Sequence, residues 1–224
     1  MRHYVVYITR RYVVWNCYGS LEVLRSCRGY LKALVERFGL IERRLPVFAP
    51  PEARRGRYYL TDSFLRSWLA ALANPVAAGA FRPLDGLLDE ADRRLADAEG
   101  AGLQKLVGQV YEERSRKGLP EFPLSHRIQG YWDKADTEID LVAVNEESRS
   151  IRFGSCKRSA KKLLADVNNF KRHVQRFLEA MPYYQSWMKQ YVAVSTTLTP
   201  DQRIVLARHD VIAEDLNDLT SGLT

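Results

Sequence analysis

The sequence predicts an α/β (α+β) protein, mostly helical in its first half, with an α-β-β-β-α-β core in its second. Two observations carry this. From residue 103 onward the hydrophobic period passes from helical to alternating, back to helical, and then to a short apolar run. Polar or Gly/Pro-rich punctuation separates these blocks. With 46% hydrophobic and 27% charged residues, the 224-residue chain has the composition of a globular protein that buries a proper core. The expected organisation is a first region over 1–74, a helical linker over 75–102 and the sheet domain over 103–224. The expected seam falls where Pro and Gly cluster between Asn74 and Leu84.

Residues 3–15 alternate aromatic and β-branched side chains (Tyr4, Val6, Ile8, then Tyr12, Val14) and read as strand. Leu21–Phe38 reads as one or two short helices. Leu31, Leu34, Val35 and Phe38 recur at i, i+3, i+4, i+7, and Gly39 stands where a helix stops. Leu40–Val47 and Arg57–Leu60 read as strands around a loop rich in Pro, Ala, Arg and Gly. Helix, strand, basic loop and strand is the order of the rear half of a winged helix-turn-helix. Thr61 or Asp62 then caps a helix over Phe64–Leu72, which Asn74-Pro75 is expected to break.

Leu84–Ala98 and Leu103–Lys117 are expected as two amphipathic helices separated by Gly100-Ala-Gly102. The second carries Leu106, Val110 and Tyr111 on one face and closes at Gly118-Leu-Pro120. Arg127–Trp132, Glu138–Asn145 and Ser150–Cys156 read as strands, the last two joined by the turn Asn145-Glu-Glu-Ser. Lys161–Leu178 is a long helix, Tyr191–Ser195 a short buried strand, Pro200–Arg208 a helix capped by Thr199, and Val211-Ile212 a last edge strand.

The net charge of +7 is uneven. Residues 1–60 carry 12 Lys/Arg against 4 Asp/Glu and residues 149–176 carry 9 against 1, whereas residues 61–148 carry 10 against 16. Two basic blocks around an acidic middle suit a phosphate-rich partner such as DNA. No apolar run approaches the roughly 18 residues that cross a bilayer, so no membrane partner is expected. Thr9-Arg10-Arg11 interrupts the first apolar stretch before a signal peptide forms, and the expected location is the cytoplasm. Three cysteines without paired spacing argue against a disulfide framework and a zinc knuckle.

Three ionisable positions fall where chemistry would need them. Glu112 is on the helix before the sheet, Asp140 in the second strand and Lys157 at the end of the third. Carboxylates hold a hard cation through oxygen, and a cation or lysine beside a scissile phosphate stabilises charge and orients the attacking water. Strict strand alternation puts 155 with 157 on one face, and 138 with 140.

In these residues the chain resembles a known family. Gly108-Gln-Val-Tyr-Glu112, Gly130-Tyr-Trp132, Glu138-Ile-Asp-Leu-Val-Ala143 and Phe153-Gly-Ser-Cys-Lys157 resemble the PD-(D/E)XK nuclease-like tail of archaeal-type AAA ATPases. Gly39–Val47 and Arg57–Trp68 resemble the winged helix and linker of the same proteins, so that residues 27–219 are covered. The resemblance implies a restriction-endonuclease-like core preceded by a partial winged-helix region. It makes Glu112 and Asp140 the Mg2+ ligands and Lys157 the catalytic lysine. Ser155 stands where the family has glutamate, and a hydroxyl brings no negative charge. Weak or absent hydrolysis is therefore expected, with an endodeoxyribonuclease the activity if any remains.

No Gly-x-x-x-x-Gly-Lys-[Ser/Thr] loop occurs, so no ATP site is expected and the chain corresponds to the tail without the ATPase domain. Lys161, Lys162, Lys171, Arg172 and Arg176 on the following helix are expected to meet DNA phosphates, with Arg54 and Arg55 in the upstream loop acting as a wing. The alternative is a non-enzymatic interaction or regulatory module that binds DNA or a protein partner such as an ATPase.

Overall fold

The computed structural model describes residues 6–8, 13–15, 21–119 and 122–223. The chain forms two compact units, one of residues 1–45 with 49–101, the other of 46–48 with 102–224.

In the first unit, β1 (Val6–Ile8) and β2 (Val13–Trp15) form an antiparallel ribbon with Val6 opposite Trp15. Tyr4 and Tyr12, part of the expected strand pattern, lie outside the described residues. One helix, α1 (Leu21–Glu36), follows, and Phe38 lies beyond its end, exposed. Gly39 turns the chain with φ +60°, and the Leu40 N–H returns to the Leu34 carbonyl at 3.0 Å. β3 (Ile41–Arg44) pairs antiparallel with β4 (Arg57–Leu60). Arg43 pins the loop between them, donating to the Pro51 carbonyl at 3.2 Å and the Ala53 carbonyl at 2.5 Å.

Asp62 caps α2 (Ser63–Ser67), its Oδ1 accepting the Leu65 N–H at 2.6 Å. The expected break at Asn74-Pro75 does not occur. Residues Trp68–Leu72 widen into a π-helical turn, with the Ala73 N–H reaching back to Trp68, and the chain continues as α3 (Ala73–Ala78) through a buried Pro75. Proline removes one donor from the ladder, and a wider turn just before it absorbs the mismatch.

The two helices expected over 84–117 are one, α4 (Leu84–Arg116). Its residues up to Ala101 belong to the first unit and those from Gly102 to the second. Each interior glycine costs about 1 kcal/mol relative to alanine. Burial of Leu103, Val107 and Tyr111 at every fourth position offsets this, while the expected Leu106 is exposed.

The second unit is built on a five-stranded mixed sheet in the order β5-β6-β7-β8-β9, confirming the α+β class. β5 (Gln129–Trp132), β6 (Glu138–Asn145) and β7 (Ser150–Cys156) run antiparallel; β8 (Met188–Val194) and β9 (Ile212–Glu214) then add in parallel. α5 (Ala160–Ala180) and α6 (Pro200–Arg208) provide the crossovers that parallel pairing requires. α7 (Leu216–Thr220) follows β9.

β6 and β7 are buried almost throughout because both faces of the sheet are covered. On one face Val142, Val144, Ile151 and Phe153 pack with Phe170, Val174 and Phe177 of α5. On the other Leu141, Cys156, Val192 and Val194 pack with Leu103, Val107, Tyr111 and Leu219. Val47 enters the first of these layers, its N–H donating to the Gly130 carbonyl at 2.9 Å. No helix among the described residues is long and apolar enough to cross a membrane.

Candidate functional site

The site begins with a bulge. Gln129 pairs with Val142 and Tyr131 with Ile139, so Asp140 and Leu141 together oppose the single residue Gly130. A Cβ on Gly130 would stand 3.2 Å from the carbonyl oxygens of both Ile139 and Asp140, which explains the glycine. The bulge resets the strand's phase. Ile139 joins Val142 and Val144 on the α5 side, and Leu141 turns toward α4. Strict alternation along β6 therefore does not hold at Asp140. The Gln104 side chain donates to the Asp140 carbonyl at 2.5 Å.

Asp140 is buried, and its Oδ2 accepts the Cys156 N–H at 2.9 Å and faces the Lys157 Nζ at 3.0 Å. Lys157 follows the last residue of β7, and its own N–H donates to the Val194 carbonyl, which fixes where its side chain starts. The Lys157 Nζ also lies 3.7 Å from Oδ2 of Asp166 on α5. The Asp166 Oδ1 accepts from the Asn169 amide at 3.0 Å. Sequence reasoning missed Asp166. Its signal was its being the one acid among the nine cations of residues 149–176. It also stands three residues after the buried Leu163, at the edge of the helix's apolar stripe.

Ser155 is buried two residues before Lys157 and pairs across the sheet with Ala193. Glu112 sits elsewhere, its Oε1 accepting the Ile128 N–H at 3.2 Å and its Oε2 meeting Arg127 at 3.4 Å. The structure thus brings Asp140 and Lys157 together, adds Asp166, and gives Glu112 to the approach of β5. Among the described residues, no three His, Cys, Asp or Glu side chains gather so that they could hold a metal ion. Mg2+ takes an octahedral shell of oxygens. As arranged here, Oδ2 of Asp140 is committed to an ammonium and an N–H, position 155 offers a hydroxyl, and Glu112 is engaged with residues 127–128. This arrangement does not fit a divalent-cation site.

Cys156 faces the α4 side, and burial pushes its thiol well up, so it packs and does not react. Burial likewise raises the Tyr111 phenol, whose hydroxyl donates to Glu214. Tyr131 and Trp132 are buried packing residues, as their strand positions suggest. His126 is exposed beside Glu146, and the His173 Nδ1 accepts the Glu138 N–H at 3.2 Å.

Lys161, Lys162, Arg172 and Arg176 are exposed. Lys161, Arg172 and Arg176 fall on one side of α5, opposite its buried stripe, the last two about three and four turns from the first. Lys171 is partly buried, its ammonium 5.0 Å from the Tyr191 ring centre. Arg54 is exposed and Arg55 partly buried in the β3–β4 loop of the first unit.

Residues 88–181 match the DUF234 family model, described as "Archaea bacterial proteins of unknown function". That stretch contains Glu112, Asp140, Ser155, Lys157 and Asp166. An uncharacterized protein of Methanocaldococcus jannaschii, MJECL04, is 26% identical over 152 residues. That match takes in 62% of this chain and 32% of MJECL04, so the chain spans about a third of the length of that relative. The structure of Can2 from Sulfobacillus thermosulfidooxidans in complex with cyclic tetra-adenylate aligns over 89% of this chain and 50% of its own. The identity is 11% and the TM-score 0.38, a superposition too loose to assign a shared fold.

Proposed function

We propose that the second unit is a DNA-binding domain of the PD-(D/E)XK nuclease type in which hydrolysis is weak or lost. The observation that carries it is the state of Asp140: its carboxylate is tied to Lys157 and the Cys156 N–H, and the neighbouring position 155 offers serine. Glu112, the other acid the resemblance assigns to Mg2+, is held by residues 127–128. Binding falls to the outer face of α5, where Lys161, Arg172 and Arg176 line up and Lys162 stands nearby. Cations in a row along one helix contact phosphates and position the duplex without reading its sequence.

Fluorescence anisotropy with labelled duplex DNA tests the binding. Affinity should fall steeply with salt, and replacing Lys161, Arg172 and Arg176 by Gln should lower the log–log salt slope by up to about 0.9 for each phosphate no longer neutralised. An unchanged slope and affinity in that variant would remove α5 as the interface. Plasmid nicking with Mg2+ or Mn2+ tests the chemistry. Wild type should nick at or near background. Ser155→Glu should introduce metal-dependent nicking that Asp140→Asn abolishes. Vigorous wild-type nicking abolished by Asp140→Asn would overturn the reading of a degenerate site.

A second reading is an interaction module for a protein partner. It is favoured by Phe64, Val76, Phe81, Leu84 and Leu88 of the first unit, all of them large apolar side chains left exposed. Absence of DNA binding at low salt would shift the balance to it.

A further inference from the structure

The position where a metal is expected already holds a cation. The Lys157 Nζ stands 3.0 Å from Asp140 Oδ2 and 3.7 Å from Asp166 Oδ2. The three side chains are 20%, 7% and 33% exposed, so water screens these charges less than it would at an open surface. Each carboxylate has a further donor: the Cys156 N–H for Asp140 and the Asn169 amide for Asp166.

We propose that the Lys157 ammonium is the resident cation of this site, that Asp166 positions it between the two carboxylates, and that the wild-type protein takes up no divalent metal at Asp140. A tethered ammonium competes for its carboxylates at a high effective concentration. A hydrated Mg2+ must shed water to displace it, which Mg2+ does reluctantly. Position 155 fits the same account. Two carboxylates already face one ammonium, and a third buried carboxylate would need a second positive charge; serine adds none.

Removing Lys157 then leaves two carboxylates whose facing oxygens are at most about 7 Å apart, a span that a divalent cation and its waters can bridge. With serine at position 155, that metal site opens only once the Lys157 ammonium is removed.

The test uses the full chain and Mn2+ alone, without nucleic acid, so its outcome is separable from any failure of DNA binding. Thermal melts in EDTA and in millimolar Mn2+ are paired with direct measurement of bound Mn2+ by electron paramagnetic resonance. Wild type should bind no Mn2+ and melt at the same temperature in both conditions. Lys157→Met, which keeps most of the stem and drops the charge, should melt lower in EDTA and recover by at least about 3 °C in Mn2+. Lys157→Met with Asp166→Asn should lose that recovery, a response that a merely structural Asp166 would not control. Wild-type Mn2+ binding that Asp140→Asn abolishes would overturn the proposal, as would a folded Lys157→Met protein that ignores Mn2+. Should Lys157→Met fail to fold, Mn2+ binding to the wild type still decides the central claim.

Discussion

At His173 acidity reaches the fold through one ring nitrogen. Nδ1 can accept the Glu138 N–H only while that nitrogen carries no proton, and burial, with Arg172 and Arg176 beside it, lowers the ring's pKa below its ordinary 6.5. The unfolded chain therefore takes up the proton first as pH falls. The stabilisation is fully present above about pH 6.5 and is lost as pH drops through the depressed folded-state value. Melting curves from pH 7.5 down to 5 should show this decline, and His173→Gln should flatten part of it; an identical slope would place the acid sensitivity elsewhere. At Gly130 the constraint is space. Its missing side chain lets two residues of β6 crowd opposite one of β5. Gly130→Ala should cost about 1–3 kcal/mol by urea unfolding, because the obstacle is backbone that cannot rotate away.

At the scale of elements, α7 depends on a residue distant in sequence. This helix of five residues ends against Arg114 of α4, whose Nη1 donates to the carbonyls of Leu219 at 2.8 Å and Ser221 at 2.7 Å. The guanidinium thus satisfies carbonyls that a helix end leaves without partners. Arg114→Met should cost about 1.5–3 kcal/mol and speed amide exchange in residues 216–221; protection left intact would show that the helix's N-cap suffices, where Asp215 Oδ1 accepts the Asn217 and Asp218 N–H groups and Arg203 donates to Asp215 Oδ2 at 2.6 Å.

The elements most legible from sequence were those whose own pattern specifies them. α5 carries six buried apolar residues at helical spacing, β6 declares itself by the apolar run Leu141–Val144, and β7 by the alternation of Ile151 and Phe153 with polar residues. What escaped depends on partners. Nothing local says that α4 runs on through Gly100 and Gly102, because the compensation comes from the sheet beneath Leu103 and Val107. Nor does the local sequence say that β6 bulges at Asp140, since the extra residue exists only relative to β5. The Asp140–Lys157 pair was readable from motif order, and Asp166 was not, because its role arises from where α5 crosses β7.

At the scale of the molecule, the chain does not finish one unit before starting the next. Residues 46–48 belong to the second unit although the first resumes at residue 49. Val47 lies in the second unit's apolar layer, and the Phe48 ring stacks on Tyr184 with centres 4.7 Å apart despite a left-handed backbone at φ +62°. A fragment of residues 102–224 should therefore be less stable than the same sheet in the whole chain. The deficit should be about 2 kcal/mol or more from the missing valine and the orphaned Gly130 carbonyl. Urea unfolding followed by near-ultraviolet circular dichroism, with and without an added peptide spanning residues 44–50, measures it. Equal midpoints for fragment and whole chain would show that the segment contributes nothing. The same threading bears on descent. A gene rearrangement that cuts between the units at Ala101 would leave one stitch behind in the wrong half. A cut that separates the units without loss has to carry residues 46–48 along with residues 102–224.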